Sequence, residues 1–213
     1  MPAMHVRSVC LRWSRLLVGL ALFAVGTFMT LRARLGIPPW DVLHDGLRRH
    51  TPLTFGLATI AVGVALVAAS LAAGLKPGPG TLANMVLIGV LVDLLLSTGV
   101  GDAAGSSSLA VRLALCVGGI AVIGLGSALY IGAGLGAGPR DGLMVIIATR
   151  AHLRIGIARA LIEGSALLAG ILMGGAVGVG TALFALGIGP SVDLWFRVFR
   201  MGPSGQKISS NTP

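Results

Sequence analysis

The chain has 213 residues, of which 55% are hydrophobic, 11% charged and 5% aromatic, and it contains 33 glycines. A soluble domain carries about a quarter charged residues, so this composition excludes that class and indicates a membrane protein. The net charge of +9 does not indicate a nucleic-acid partner, because the arginines flank the apolar runs and form no single basic face. The expected partner is the lipid bilayer.

Six apolar runs approach the roughly 20 residues that a helix needs to cross a bilayer. They are residues 15–31, 54–75, 81–97, 109–131, 155–174 and 181–199. The basic residues ahead of the first run have the charge layout of a signal peptide. That run ends without a small-residue cleavage site, so we expect it to be retained as the first span.

A break rich in Gly and Pro follows the first run. Pro38 and Pro39 prevent a helix from passing through them, and Asp41 is well placed to cap a short helix over residues 42–50. The same pattern follows the fourth run, where Asp141 precedes a second short helix over residues 142–149. Both helices are too short to cross, and we expect them to be re-entrant or interfacial.

The two breaks belong to a register in which the second half of the chain repeats the first one hundred residues on. About a quarter of the paired positions are identical, including Pro, Asp and Thr residues that chance does not bring into register. The fold class predicted is all-α: a polytopic transmembrane bundle of two tandem repeats, each with three spans and a short helix after the first. The predicted parts are a cytoplasmic N-terminus (1–14), repeat 1 (15–98), a linker (99–108), repeat 2 (109–199) and a disordered tail (200–213).

Three long spans per repeat is an odd number, which favours two halves that are inverted in the membrane, as in many secondary transporters. With the N-terminus in the cytoplasm most arginines and lysines face the inside, but Arg32, Arg34, Arg48, Arg49 and Arg112 do not. If the short helices crossed or dipped deep, the repeats would instead be parallel. Both arrangements stay open at this point.

The motifs at these breaks resemble those of the YczE/YyaS/YitT group of bacterial integral membrane proteins. The first half carries the pattern in Leu35-Gly36, in residues 39–43 (Pro-Trp-Asp-Val-Leu), in residues 80–84 (Gly-Thr-Leu-Ala-Asn) and in Gly89 with Asp93. The second half departs from it, since Arg140 stands for Trp40 and Phe184 for Asn84. The resemblance implies a multi-span protein of the bacterial inner membrane and no assigned activity.

Glu163 is the outstanding candidate for a functional side chain. It lies near the middle of the fifth run, where an ionised group costs about 2.5 to 3.5 kcal/mol on insertion scales, and its repeat partner is Gly63. One interpretation is a protonatable or cation-binding carboxylate in a central cavity. The other is a structural pair with Arg159, one turn away on the same face.

The remaining candidates are aspartates that the repeat pairs with each other. Asp93 and Asp193 are candidates for an ion or proton relay, although a location near the headgroups or a hydrogen bond to a neighbouring helix explains them as well. Asp41 and Asp141 are expected to cap the short helices. Alternatively, with Arg140 beside Asp141, these helix starts form a site for a carboxylate or phosphate.

The sequence contains few residues that could bind a metal, bind a nucleotide or catalyse a reaction. His44 and His50 have no third ligand at zinc spacing, and the Gly-rich segments lack the Gly-Lys-Ser/Thr ending of a phosphate loop. Cys10 and Cys116 are expected to be unpaired thiols. We therefore predict no metal, no cofactor and no catalytic residue, and we do not expect an enzyme.

Two functions follow from this reasoning. The first is a small transporter or permease-like protein whose site, at the interface of the repeats, contains Glu163, Arg140, Asp41 and Asp141. The second is a non-transporting membrane protein that supports or regulates another membrane-associated system through its Gly-rich helix faces. The sequence identifies neither the substrate nor the oligomeric state.

Inverted repeats predict that the two short helices end on opposite sides of the membrane. Single cysteines at Arg48 and Arg150, in a background without Cys10 and Cys116, are labelled in intact cells with an impermeant thiol reagent. We expect Arg48→Cys to react from outside and Arg150→Cys to react only after lysis. Protection of both until lysis would instead show parallel repeats.

Overall fold

The computed structural model of the protein describes residues 2–136 and 138–200, and the secondary structure of these residues consists of helices joined by turns, with no strand. The predicted tail lies outside the described residues from position 201 onward. A 3-10 helix (Asp102–Ser106) lies in the predicted linker. The α-helices are α1 (Pro2–Ala33), α2 (Pro39–His50), α3 (Phe55–Ala72), α4 (Pro79–Ser97), α5 (Leu109–Gly132), α6 (Pro139–Arg150), α7 (Ile155–Leu172) and α8 (Val179–Val198).

Five helices in the described part of the chain, namely α1, α3, α4, α5 and α8, are long and apolar enough to cross a bilayer. The sixth predicted span corresponds to α7, which has 18 residues and carries both Arg159 and Glu163. Large apolar side chains cover the outer faces, and Leu172 and Leu186 are 79% and 78% exposed. Such a surface is suited to lipid contact, because a soluble protein of this size rarely exposes so continuous an apolar face.

Helices α1 and α5 cross in opposite directions with their backbones in contact. Gly19 lies against Gly126, and Gly26 lies against Gly119, so seven residues forward along α1 correspond to seven residues back along α5. A Cβ atom on Gly26 would lie 2.7 Å from the carbonyl oxygen of Gly119. Small residues permit this close approach, which is how apolar helices pack tightly without a hydrophobic driving force.

Two arginines join the ends of the same helices. Arg12 Nε donates to the carbonyl oxygen of Ala133 over 2.8 Å, with a second hydrogen bond from Nη2 to the next carbonyl. Arg112 Nε donates in the same way to Ala33 over 2.9 Å, again with a second bond to the following carbonyl. Each guanidinium therefore satisfies the free carbonyl groups at the C-terminus of the other helix and complements the negative end of its dipole.

The repeated Leu-Gly pair forms the turn after α1 and the turn after α5. Gly36 has φ +101°, and its counterpart one hundred residues on has φ +127°, a region of backbone conformation that favours glycine. The Leu35 carbonyl accepts from Gly180 N over 2.6 Å, and the Leu135 carbonyl accepts from Gly80 N over 2.8 Å. The turn of each half is therefore bonded to the fourth helix of the other half.

The short helices begin three residues earlier than predicted. Pro39 and Pro139 occupy their first positions, where the missing N–H costs nothing. As a consequence Asp41 lies inside the first turn of α2, which has no side-chain cap, and the capping role predicted for Asp41 is wrong. Asp141 does accept a hydrogen bond from the backbone N of Gly138, over 3.2 Å.

The crossing of α1 and α5 predicts a specific sensitivity to one methyl group. Gly26→Ala forces a Cβ atom against the α5 backbone, and overpacking of this kind costs about 1 to 3 kcal/mol. We expect thermal unfolding in detergent at a clearly lower temperature. Gly164→Ala on α7 is the matched control, because a Cβ atom there meets nothing within 4 Å and alanine favours the helix. Equal effects of the two changes would contradict the crossing.

Candidate functional site

A cavity of about 220 Å³ lies between the two halves, and seven of the eight helices or the turns beside them line it. Helix α3 is the exception. The first half contributes Phe23, Pro38, Pro39, Trp40, Asn84 and Ile88. The second half contributes most of the wall, including Tyr130 and Phe184, and all of the ionisable side chains apart from the tyrosine hydroxyl belong to its helices α6, α7 and α8.

Five charged residues meet in this cavity, and four of them are among the residues that the sequence singles out. They are Arg140, Asp141, Arg159, Glu163 and Asp193. Their counterparts in the first half are Trp40, Asp41, Thr59, Gly63 and Asp93, of which only Trp40 reaches the cavity. The charge of the site is therefore asymmetric between positions that lie one hundred residues apart in the sequence.

Arg140 and Trp40, which occupy equivalent positions in the repeated motif, lie against each other across the interface. The guanidinium carbon of Arg140 is 5.1 Å from the centre of the Trp40 ring, which is the geometry of a cation–π contact. Arg140 forms no ion pair with any carboxylate in the described part of the chain. The contact with Trp40 positions a cation at the cavity wall and leaves its hydrogen-bond donors available.

Glu163 combines the two interpretations that the sequence left open. Its Oε1 accepts a hydrogen bond from Arg159 Nε over 2.8 Å, one turn earlier on α7. Both side chains also line the cavity, and that of Glu163 is 30% exposed. The pair is therefore a polar wall of the site, and its carboxylate keeps oxygen lone pairs for a further partner.

Asp141 lies at the start of α6, where it accepts from Gly138 N and lines the cavity. Burial raises the pKa of its carboxyl above the ordinary value, while the nearby guanidinium groups of Arg159 and Arg140 act in the opposite direction. A carboxyl group placed in this way fixes the helix start and at the same time faces a ligand.

The aspartates that the repeat pairs as a possible relay are not brought together. Asp93 accepts hydrogen bonds from Gly56 N over 2.7 Å and from the Thr54 hydroxyl, and it joins α4 to the N-terminus of α3 outside the cavity. Asp193 lines the cavity. Its side chain forms no hydrogen bond or ion pair with any residue that the structure describes. The bonds of Asp93 to the start of α3 agree with the alternative interpretation, in which the aspartate hydrogen-bonds a neighbouring helix.

Asp41 also differs from the expectation, since it does not contribute to the wall of the cavity among the described residues. Its Oδ1 lies 3.2 Å from His44 Nδ1, and both side chains are buried. The reason is the early start of α2, which turns Asp41 onto the face of the helix that carries His44, three residues later. Asp41 therefore lies beside His44 and does not line the cavity for which it was a candidate residue.

The sequence reasoning missed Asp45, which is buried and joins α2 to the turn between α7 and α8. It accepts from Arg48 and Arg49 and, over 3.0 Å, from Ala176 N. Burial raises the pKa of the Asp45 carboxyl, but the two guanidinium groups outweigh burial and the pKa lies below the ordinary value. The spacing of Asp45 to Arg48 and Arg49 was the signal that could have revealed it.

The described residues include no group of three or more His, Cys, Asp or Glu side chains arranged to hold a metal ion. What the cavity offers is a free guanidinium group, carboxylates and aromatic faces. Such a set binds small polar or charged solutes by hydrogen bonds and ion pairs.

Comparison with known proteins places the chain among uncharacterised membrane proteins. Residues 10–197 match the family of unknown function DUF6198. An uncharacterised protein of Haemophilus influenzae is 36% identical over 89% of this chain and 85% of its own length. In Bacillus subtilis, the uncharacterised membrane protein YczE is 38% identical over 84% of this chain and 83% of its length, and the uncharacterised protein YyaS is 30% identical over 78% and 83%. No solved structure is significantly similar to the chain.

The different surroundings of Asp93 and Asp193 predict different effects of the same substitution. Asp93→Asn removes a charged acceptor from Gly56 N and Thr54, and losing such bonds costs about 1 to 3 kcal/mol, so we expect a lower unfolding temperature in detergent. Asp193→Asn is the matched control and is expected to leave the unfolding temperature unchanged. The assignment fails if Asp193→Asn is the more destabilising of the two.

Proposed function

The chain belongs to the family of unknown function DUF6198 and, as its motifs predicted, to the YczE/YyaS group, and we propose that this multi-pass membrane protein is a small transporter. The proposal rests on the cavity between its two halves. The transporter is permease-like and binds a small polar solute in the cavity between its two halves. It acts without covalent chemistry and therefore is not an enzyme. Its location is the bacterial inner membrane, with the N-terminus in the cytoplasm.

The observation that carries this proposal is the set of five charged side chains that line one cavity between the two halves of the chain. Ionisable residues inside a membrane are expensive and mark substrate or ion pathways more often than packing surfaces. The second candidate, a non-transporting protein that acts through its helix faces, requires Glu163 and Arg140 to meet a flat packing surface. That both residues line a cavity favours the transporter.

Support for an inverted pair of repeats comes from the contacts between the halves. The antiparallel crossing of α1 and α5 and the reciprocal bonds of Arg12 and Arg112 are the contacts expected of two halves related by a two-fold axis perpendicular to these helices. In a membrane such an axis lies in the plane of the bilayer, and secondary transporters built on it bind substrate at the interface of the repeats. Both short helices also begin beside the cavity, as interrupted helices do in that class.

Within this site Arg140 binds the anionic part of a solute. Its guanidinium has no carboxylate partner among the described residues, and it can bind a carboxylate or phosphate with two parallel hydrogen bonds. Glu163 and Asp193 bind a cation or a proton. Asp141 faces the same space while it fixes the start of α6.

The proposal is tested with Glu163→Gln in purified protein. Wild-type protein in detergent is screened by thermal unfolding against a panel of small carboxylates, phosphates and amines. We expect a binding solute to raise the unfolding temperature of the wild type. Glu163→Gln, which preserves size and removes the charge, should leave the solute-free protein folded and abolish most of that increase.

The control variant is Asp102→Asn, which removes a carboxylate of the 3-10 helix that pairs with Arg32 outside the cavity. It should retain the full response to the solute. Unfolding of Glu163→Gln without solute would show that the carboxylate serves the pair with Arg159 alone. If no solute in the panel stabilises the wild type, the non-transporting alternative is favoured.

A further inference from the structure

A second, smaller void of about 30 Å³ lies beside the cavity and shares Asn84, Ile88 and Arg140 with it. His44 and Thr59 line its other wall. A space of this size is large enough for a water molecule, and His44, Thr59, Asn84 and Arg140 are the polar residues in its lining, which is otherwise apolar. Arg140 is therefore the charged residue that lies between the central cavity and a buried histidine.

His44 is buried, with 1% of its surface exposed, and its hydrogen bonds define its tautomer. Nδ1 lies 3.2 Å from Asp41 Oδ1 and 3.2 Å from the Thr59 hydroxyl, which itself donates to the Phe55 carbonyl. Because a carboxylate can only accept, Nδ1 carries a proton, and Nε2 is the nitrogen that gains or loses one. The edge of the Phe55 ring packs against the imidazole.

We propose that His44 is a proton-binding site of this protein, electrostatically coupled to the central cavity through Arg140. The coupling has a defined sign, since Arg140 repels a second positive charge across the void. Coupling between two binding events is reciprocal. If Arg140 takes the anionic part of the solute, which rests on the function proposed above, a bound anion and a proton on His44 favour each other.

The charged groups around His44 are few. Asp41 on its own helix favours the imidazolium form, and Arg140 on α6 opposes it. Helix α3, which packs against α2, carries no ionisable side chain and contributes Thr59. Helix α7, which also packs against α2, carries Arg159 and Glu163, and these line the larger cavity and not the void. Burial lowers the pKa of the His44 imidazole, Asp41 counteracts that effect, and Arg140 adds to it.

The repeat supports a specific role for this histidine, because the equivalent position in the second half is Met144. Packing at this position of a short helix therefore does not need an imidazole. The first half combines a buried carboxylate, a histidine and a threonine hydroxyl, whereas the start of α6 in the second half has Arg140 and Asp141 at the cavity.

The test is a pH titration of His44 in a chain where it is the only histidine. His5→Gln, His50→Gln and His152→Asn remove the others, with asparagine at 152 because that residue has φ +52°. The protein is labelled with nitrogen-15 at histidine, freed of any affinity tag, and titrated by NMR without added solute. Arg140→Gln removes the charge, and Arg140→Lys retains it.

We expect Arg140→Gln to raise the titration midpoint of His44 by on the order of one pH unit, the shift expected from removing one cation nearby. Arg140→Lys should leave the midpoint near the wild-type value. Arg159→Gln, which removes a cation from the larger cavity alone, should move it much less. If Arg140→Gln does not fold, Asp41→Asn serves instead and should lower the midpoint.

The proposal is overturned if Arg140→Gln leaves the midpoint unchanged, if Arg140→Lys shifts it as much as Arg140→Gln, or if Asp41→Asn has no effect. Each of these results would make His44 a packed core histidine. The titration uses no solute, so its failure is distinct from failure of the solute-binding experiment with Glu163→Gln.

Discussion

The crossing of α1 and α5 is the contact on which the rest of the structure depends. Two glycines on each helix let the backbones touch, and an arginine in the N-terminal part of each helix binds the carbonyl groups at the end of the other. These residues recur every seven positions, which is two helical turns, so they form one seam. The residues of this seam are Arg12, Gly19, Gly26 and Ala33 in α1, and Arg112, Gly119, Gly126 and Ala133 in α5. Because the seam runs antiparallel, the breaks after the two helices lie at opposite ends of it.

The cavity is a consequence of that arrangement. Each break is bonded to the fourth helix of the other half, so the start of α2 and the start of α6 are both held beside the interface. Trp40 and Arg140, which occupy the same position of the motif, then form a cation–π contact across the interface. The cavity therefore has an aromatic side, which includes Trp40, and a charged side, which includes Arg140.

The sequence was sufficient for the helices, the breaks and most of the charged wall, because apolar runs, Pro and Gly residues and intramembrane charges each have a strong local cause. It was not sufficient for the orientation of individual aspartates. Asp41 and Asp141 have the same local sequence signal, but only Asp141 has Gly138 before its proline and caps its helix. Asp93 and Asp193 differ because Thr54, which binds Asp93, is replaced by Arg154 in the second half. The hydrogen-bond partners of these aspartates depend on neighbouring residues and on other helices, and the periodic pattern of the sequence does not predict them.

The same comparison explains why the two short helices are held unequally. Asp45 ties α2 to the backbone of Ala176, and the equivalent residue on α6 is Val145, which has no polar atom to offer. Helix α6 is held at its C-terminus by Arg150, whose guanidinium donates to the Ala73 carbonyl from an exposed position, where such a bond contributes little. Elements that move in a binding cycle come from the less stable parts of a fold. Helix α6 carries both Arg140 and Asp141, so the charged side of the cavity is built on the more weakly held of the two helices.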